Sequence, residues 1–410
     1  MSEVNDRSER AQNLKTVLLY GAILLVAIGW GWTRYGLPTL LSTAKSIGVF
    51  VVALGILVFI HEFGHFLAAR LVGVTVPEFA IGFGPKLFTY LRRRGTEYTV
   101  RLLPLGGFVN LKGMNPEEEE TPDGLNGKPA WARGLVFFAG PLANLALAIV
   151  LLCSMGALFG GIRAHVFVEK VEPDSPAAHM GLQPEDQIIS VQGRLVDNPR
   201  ILIDSVAHSN GQTVRLEVLR AGAQLTLVGA PQPLPGEASG VTRPRLGILL
   251  DSRPYSTPRM SVGASIREGM ETFGAMLSQL GRIFRSRRSI GENVGGPVAI
   301  ARVLPASARA GILPFLTIMA GLSLSLAIFN LLPIPILDGG HLMLLTVEVL
   351  RRRRLDPATQ QAAQLIGMTL IGIIFVLITY KDITRWVKDQ RQPPARPPAV
   401  NAPAPPAGER

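Results

Sequence analysis

The amino-acid sequence predicts a polytopic α-helical membrane protein with about five transmembrane helices, a membrane-associated β-hairpin and one inserted α+β domain. Of its 410 residues, 48% are hydrophobic and only 17% are charged, a balance that favours membrane proteins over soluble ones. Five apolar stretches approach or exceed the length that a bilayer requires. Between the third and fourth stretches, short alternating strands such as 214–218 and turn signals indicate a small β-rich domain.

The loops between the apolar stretches indicate how the chain is oriented. Basic residues concentrate in 71–133 and 351–354, so both loops are predicted to be cytoplasmic. The N-terminus then lies inside, and residues 160–311 and the C-terminus lie outside, although the basic residues after the fifth stretch do not fit. The first stretch lacks a clear cleavage site and is interpreted as an extra membrane anchor. The fifth is short for a span. The predicted spans are 17–32, 46–69, 134–158, 312–337 and 365–380.

Charge and cysteine content exclude some functions. The net charge is +11, but the basic side chains mostly flank apolar runs, where they orient membrane helices. Nucleic acid is therefore not an expected partner. The single cysteine, Cys153, excludes a disulfide within the chain. The Pro-rich tail, residues 386–410, is predicted to be disordered or extended.

An amphipathic helix is predicted within residues 253–311. Its apolar face either packs on its own domain or, as we favour, lies on the membrane surface beside a basic cluster. The face comprises Ile266, Met270, Phe273, Leu277, Leu280 and Phe284, and the cluster comprises Arg282, Arg285, Arg287 and Arg288.

A His-Glu-x-x-His pattern at residues 61–65 is the strongest functional signal. On a helix, His61 and His65 lie one above the other, so both imidazoles can bind one metal ion. Zinc suits imidazole, and Glu62 can take a proton from a water at the metal. The pattern lies in the second apolar stretch, where ionisable side chains are costly and usually functional. The alternative is a set of polar side chains that face the interior of a helix bundle.

Two histidines leave a catalytic zinc site one protein ligand short. Asp338 is the candidate, because Pro333 and Pro335 break the helix before it, and irregular backbone in a membrane is tolerated only against protein or water. The alternative for Asp338 is an Asp-Gly turn at a helix end, and His341 is a rival ligand. Asn330 is expected either to hydrogen-bond a substrate or oxyanion, or to join two helices.

Four motifs carry a resemblance to a known family: residues 61–65, Gly82-Phe83-Gly84, Phe138-Ala-Gly-Pro-Leu-Ala-Asn144 and residues 330–339. Together they resemble the site-2 protease family of intramembrane zinc metalloproteases, in its bacterial branch of regulator of sigma-E proteases. The resemblance implies that His61, His65 and Asp338 bind one Zn²⁺ per chain and that Glu62 is the catalytic base. This chain departs from the family in its extra first span and in its single inserted domain, where the best-known members have two. Candidate substrate-binding residues are Asn330, Pro333, Pro335, Gly82, Phe83, Gly84 and Asn144.

The inserted segment, residues 161–252, resembles a PDZ domain. The matching motifs are 171–177, 181–182, 186–189 and 191–193. PDZ domains add an extended peptide to a sheet edge and often capture its C-terminal carboxylate. The peptide groove is predicted at Leu246, Gly247 and Ile248. The alternative is a domain that blocks access sterically and binds no peptide.

A β-hairpin is predicted within residues 82–110. Strand-like runs at 87–90 and 98–103 lie on either side of a turn at Arg94-Gly95. The family resemblance implies that this hairpin dips into the membrane beside the zinc. Its edge is then available to pair with a substrate that has unwound from a helix. The alternative is an ordinary cytoplasmic hairpin.

The predicted function is metal-assisted hydrolysis of a transmembrane segment of a single-span protein, in the bacterial inner membrane. The resemblance suggests an anti-sigma factor already trimmed on its outer side, with remnant signal peptides as further targets. The extracytoplasmic PDZ-like domain is predicted to exclude untrimmed substrates. A non-proteolytic scaffold has no need of Glu62 between two histidines, and an ion transporter is disfavoured because the sequence shows no internal repeat. The predicted catalytic core comprises residues 45–160 and 312–385, after an N-terminal extension, residues 1–44.

Overall fold

The computed structural model describes residues 33–34, 36–115, 117–232, 244–285 and 295–391. Within these residues, four helices are long and apolar enough to cross a membrane, and they span Leu37–Leu71, Ala130–Phe159, Ile312–Asn330 and Pro357–Lys388. The chain divides into two compact units, one of Ser154–Arg267 and one of the sequence on both sides of it. The helices are α1 (Leu37–Leu71), α2 (Ala130–Phe159), α3 (Pro176–His179), α4 (Pro199–His208), α5 (Val262–Arg285), α6 (Pro297–Ala310), α7 (Ile312–Asn330), α8 (Asp338–Arg351) and α9 (Pro357–Arg391).

The four apolar helices correspond to the second to fifth predicted spans, with different ends. The first predicted span, 17–32, lies outside the described residues. Within the fourth stretch, 312–337, α7 ends at Asn330, in line with the predicted helix break, because Pro333 and Pro335 lack the amide hydrogens that a helix needs. The fifth was predicted to be short, but α9 has 35 residues. Helices continue beyond their apolar stretch into the interfaces, where polar residues are tolerated.

The predicted hairpin between α1 and α2 is longer than expected and strongly bent. Its strands are β1 (Glu78–Arg93) and β2 (Thr96–Asn110), joined at Arg94-Gly95, where both residues have positive φ. Residues 78–81 pair with 107–110 and also with 97–100. The first part of β1 therefore lies between two segments of β2, and residues 107–110 form an edge.

Glycines allow the bends in this hairpin. Gly82, Gly84 and Gly106 have φ values of 93°, 82° and 142°, which favour glycine because a Cβ clashes with the backbone there. The bent segment lies against α1: a Cβ at Gly106 would lie 3.0 Å from Val58 Cγ1, and one at Gly55 would lie 3.3 Å from Pro104 O. The hairpin therefore reaches the level of the apolar part of α1.

The unit Ser154–Arg267 contains an antiparallel sheet of six strands, β3 (Ile162–Val171), β4 (Gln187–Val191), β5 (Arg194–Leu195), β6 (Val214–Arg220), β7 (Ala223–Gly229) and β8 (Ile248–Ser256). Their order in the sheet is β7-β6-β4-β3-β8, with β5 paired to β4. In this order β8 is an edge strand. Alternate side chains of the strands and one face of α4 form its apolar core, which includes Val166, Leu202 and Leu216.

Two motifs of this unit have clear structural roles. The carboxylate of Asp186 is fully buried and accepts hydrogen bonds from Arg220 at 2.7 Å and from the amide of Gln183 at 2.9 Å. A buried carboxylate is stable only when it is paired in this way. Ser175 caps α3 by accepting a hydrogen bond from the amide of Ala178. Both residues therefore stabilise turns of the domain.

Helix α5 is the predicted amphipathic helix. Ile266, Met270 and Leu277 on its apolar face are all more than 40% exposed, whereas Phe273 and Leu280 are half-buried, so the described residues cover this face only in part. The exposed part of the face is available to a membrane surface, and the favoured interpretation, a helix on that surface, stays a prediction. The side chains of Phe284 and Arg285, and residues Arg287 and Arg288, lie outside the part that the structure describes.

Candidate metal centre

The two histidines of the 61–65 pattern and Asp338 meet at one point. His61 and His65 are one turn apart on α1, and their Nε2 atoms are 3.2 Å apart. The carboxylate of Asp338 lies 3.0 Å from His61 Nε2 and 3.3 Å from His65 Nε2. These three side chains, which are all buried or nearly so, are called the metal triangle below. A tetrahedral zinc with bonds of about 2.0–2.2 Å separates its ligand atoms by roughly 3.3–3.6 Å, so this triangle fits zinc with a small relaxation.

A hydrogen bond to the backbone determines which ring nitrogen of His65 has a lone pair that can bind a metal. Its Nδ1 lies 2.7 Å from the carbonyl oxygen of Val136, and a carbonyl only accepts, so Nδ1 carries the proton. Nε2 then presents a lone pair towards Asp338. The Asp338 Oδ2 atom is buried without a hydrogen bond among the described residues. Lone pairs that converge in a buried site repel one another unless a cation binds between them. The arrangement therefore fits a metal ion.

Glu62 is placed beside this triangle by its position on α1. It is half-buried, and its Oε2 accepts a hydrogen bond of 3.1 Å from the amide of Val109 on the edge segment of β2. The carboxylate therefore joins the hairpin edge to the metal centre. A carboxylate at this point can accept a proton from a water near the three ligands.

Asp338 reaches the histidines because the chain turns sharply after α7. Residues 331–337 fold back on the first turn of α8 so tightly that a Cβ at Gly340 would lie 2.6 Å from Pro335 Cα. Ile336 has a φ of 121°, a strained value for a β-branched residue. The Asp-Gly-Gly sequence therefore serves close packing, and Asp338 is both a helix-start residue and a member of the metal triangle.

An ion pair holds α8 against α2. Arg133 donates to the buried carboxylate of Glu348 at 2.7 Å, and the other oxygen of Glu348 accepts from the amide of Leu355 at 3.2 Å. Because Asp338 begins α8, this contact limits how far the aspartate can move away from the histidines on α1, which also pack on α2.

The other predicted site residues occupy different places. His341 stacks on Phe137 with ring centroids 4.8 Å apart and is not in the metal triangle. Phe83, 41% exposed, lies in the bend of the hairpin between Gly82 and Gly84. Asn330 is the last residue of α7, and Pro333 and Pro335 lie in the irregular segment before Asp338. The predicted groove residues Leu246, Gly247 and Ile248 belong to the separate unit Ser154–Arg267.

Sequence reasoning missed three contributors to the site. These are the carbonyl of Val136, the amide of Val109, and Gly140, which leaves room for the ring of His65: a Cβ there would lie 2.6 Å from the imidazole Cε1. Every residue has a backbone carbonyl, and every residue except proline has an amide hydrogen, so the residue types at 136 and 109 do not reveal these roles. Gly140 does leave a signal, since it lies in the 138–144 motif, one turn from both Val136 and Asn144.

Comparison with known proteins identifies the family of this chain. The family model of peptidase family M50 matches residues 49–374, which include every member of the metal triangle and Glu62. A solved PDZ domain, from the SdrC-like protein of Listeria monocytogenes, matches at 23% identity over 21% of this chain and 86% of its own, with a TM-score of 0.19. That likeness is too low to support the fold of the inserted domain.

Curated relatives match over most of their length, and each is named as a candidate zinc metalloprotease. One from Clostridium perfringens is 34% identical, covering 81% of this chain and 97% of the relative. One from Rhizobium meliloti is 33% identical, covering 83% and 97%, and one from Agrobacterium fabrum is 30% identical, covering 82% and 95%. By the family match and by these relatives, the chain belongs to peptidase family M50 and is a zinc metalloprotease.

Proposed function

We propose that this metalloprotease cleaves its substrates within the membrane, in the transmembrane segments of single-span proteins. The observation that carries the proposal is the position of the metal triangle. His61 and His65 lie on α1, a helix of 35 residues that is long and apolar enough to cross a membrane. Ionisable groups at such a place are expensive, and they are retained where they bind or react.

His61, His65 and Asp338 are proposed to hold the zinc, and Glu62 to act as general base. The chemistry that a bound zinc supplies is Lewis acidity, which polarises the scissile carbonyl and activates water for attack at neutral pH. Glu62 accepts the proton of that water and passes it to the leaving amine. Its hydrogen bond to the amide of Val109 fixes the carboxylate on the side of the hairpin edge.

The hairpin is proposed to hold the substrate in an extended form. A peptide bond within a helix is shielded, so the substrate must unwind before hydrolysis. Residues 107–110 form an edge of the bent sheet, next to Glu62, where an extended segment can pair. Gly82, Phe83 and Gly84 shape the bend, and Asn330, Pro333 and Pro335 are proposed to contact the substrate from the opposite segment.

The inserted domain is proposed to bind peptide C-termini. Its edge strand β8 and helix α4 border a cavity of about 580 Å³, which Leu246, Gly247 and Ile248 line at one end. An edge strand beside an apolar groove can add an extended peptide. Leu202, Ile203 and Val206 line the helix side, so we expect an apolar side chain at the end of the peptide.

The biological setting is proposed to be the bacterial inner membrane, with the inserted domain on the extracytoplasmic side. Basic residues in 71–133 and 351–354 support this orientation. We propose regulated intramembrane proteolysis, with an anti-sigma factor trimmed by an earlier cleavage as the substrate, and remnant signal peptides as further substrates. The motifs noted in the sequence support these identities.

The test is zinc content measured together with cleavage of single-span reporter proteins in detergent or liposomes. The wild-type chain should contain one zinc and cut the reporter within its apolar segment. Glu62→Gln should retain the zinc and lose cleavage at least about 10²-fold, because an amide cannot accept the proton. Turnover by Glu62→Gln close to that of the wild type would exclude the base role, and cleavage only outside the apolar segment would exclude intramembrane proteolysis.

A further inference from the structure

One face of α2 supports both histidines of the metal triangle. Val136, Gly140 and Asn144 are four residues apart and so lie on the same face of the helix. Val136 accepts a hydrogen bond from His65 Nδ1, and Gly140 leaves space for the ring of His65. Asn144 lies one turn further on, with its side-chain amide 3.2 Å from His61 Nδ1. Each histidine therefore meets a polar group of α2 at its outer nitrogen.

The groups that face His61 Nε2 indicate which ring nitrogen of His61 carries the proton. His61 Nε2 faces the carboxylate of Asp338 and the Nε2 of His65. If Nε2 binds a cation, the ring proton must be on Nδ1, and that proton needs an acceptor because the site is buried. The side-chain oxygen of Asn144 is buried without a hydrogen-bond partner among the described residues. A half-turn of the amide brings this oxygen to His61 Nδ1.

The geometry points to Asn144 as a positioning residue, whose side-chain oxygen accepts the Nδ1 proton of His61 and so directs Nε2 to the metal. This assignment rests on the proposed ligand set. It replaces the sequence-based expectation that Asn144 contacts substrate, since Asn144 is 0% exposed. The inference also gives the 138–144 motif a physical role: Gly140 and Asn144 orient one histidine each.

The backbone of Asn144 is itself held in place. Its carbonyl oxygen accepts a hydrogen bond of 2.7 Å from the hydroxyl of Ser323 on α7, and Ser323 is fully buried. The backbone of α2 at Asn144 is thus held against α7. A fixed acceptor orients a ring better than a mobile one, because less freedom is lost when the metal binds.

The test measures metal affinity directly. Zinc affinity is determined by competition with a chelator in detergent for the wild type, Asn144→Leu and Asn144→Asp, and the visible spectrum of the Co²⁺-loaded proteins reports the ligand geometry. Asn144→Leu removes the acceptor at similar size and should bind zinc roughly 10–100-fold more weakly, with an altered Co²⁺ spectrum. Asn144→Asp keeps an acceptor and should stay within about threefold of the wild type.

Asn330→Leu is the matched control. Asn330 is proposed to contact substrate, so this variant should lose cleavage and keep the wild-type zinc affinity. If Asn144→Leu does not fold, Asn144→Ala serves as the second acceptor-free variant, with the same loss expected. A folded acceptor-free variant with wild-type zinc affinity overturns the inference, and so does an Asn144→Asp variant as weak as Asn144→Leu. Failure of the wild type to bind zinc would instead overturn the proposed ligand set.

Discussion

At the scale of single residues, Asp338 and His341 are rivals for the same metal, one turn apart on α8. Asp338 lies 3.0 and 3.3 Å from the two imidazole nitrogens, whereas His341 stacks on Phe137. Asp338→Ala should lower zinc affinity by more than the 10–100-fold cost of losing an outer hydrogen-bond partner. His341→Ala should leave zinc affinity unchanged. Zinc content after dialysis against a weak chelator distinguishes the two, and the reverse result would assign the ligand to His341.

Gly140 gives a second prediction at this scale. A Cβ at this position would lie 2.6 Å from His65 Cε1 and 2.8 Å from Cδ2, so Gly140→Ala must displace the imidazole. We expect lower zinc affinity and at least about a tenfold loss of cleavage, since small displacements of catalytic groups are costly.

Gly134→Ala is the control for Gly140→Ala, since it makes the same change six residues earlier on α2. There the nearest neighbour of a new Cβ is Leu345 Cδ2 at 3.5 Å, an ordinary contact. Zinc affinity and cleavage should stay at the wild-type level. Equal effects of the two substitutions on zinc affinity would show that the ring of His65 does not depend on Gly140.

The sequence predicted the members of the triangle because their spacing and residue types carry the chemistry. His61 and His65 are four apart on an apolar helix, and Asp338 follows a helix break. The sequence could not predict the supporting groups to the same degree. Val136 and Val109 act through backbone atoms, and any residue type provides those. Asn144 appeared in a recognised motif, but its burial behind His61 depends on how α1 and α2 pack.

At the scale of elements, the close approach of α1 and α2 determines where the histidines lie. Gly64, between His61 and His65 on α1, contacts α2 so closely that a Cβ would lie 2.8 Å from Ala143 Cβ and even closer to Ala139 O. Gly64→Ala should therefore push the two helices apart. We expect a destabilisation of about 1–3 kcal/mol, typical of overpacking, together with loss of cleavage.

Gly48→Ala is the matched control on the same helix. A Cβ at Gly48 would meet nothing within 4 Å, and alanine favours a helix by roughly 0.5–1 kcal/mol over glycine. Thermal unfolding in detergent should show a melting temperature that is unchanged or higher for Gly48→Ala and lower for Gly64→Ala. A melting temperature for Gly64→Ala equal to that of the wild type would contradict the tight crossing.

The elements were predicted unevenly. The turn at Arg94-Gly95 was placed correctly, because Gly95 accepts a positive φ and strand-like runs lie on both sides of it. The double pairing of residues 78–81 was not predicted, since alternation of apolar and polar residues indicates a strand but not its partners. The apolar stretch extends seven residues beyond the end of α7 at Asn330, so hydropathy alone does not show where the helix ends, and only Pro333 and Pro335 indicate the break.

At the scale of the whole molecule, all residues of the metal triangle lie in one compact unit, and the inserted domain forms the other. The three side chains of the metal triangle and Glu62 lie outside Ser154–Arg267, so under the proposed mechanism the inserted domain contributes no group to the chemistry. Its two ends are neighbours: Ile162 pairs with Ser256, and the amide of Thr257 donates to Gly161 O at 2.8 Å. Paired strands are about 5 Å apart, so a Gly/Ser linker of about four residues can replace 162–256.

We expect this deletion to retain cleavage of a substrate already trimmed on its outer side, and to begin cutting the untrimmed form. The reason is the predicted orientation, in which the domain is extracytoplasmic and acts as a filter for bulky outer domains. Cleavage of both substrate forms is measured in membranes at equal expression. The control is Ile203→Glu, which places a charge in the groove between α4 and β8 and leaves the domain present. If the filter is steric, Ile203→Glu should still reject the untrimmed form. Loss of all activity in a folded deletion would show that the domain is required, and unchanged rejection by the deletion would place the filter elsewhere in the chain.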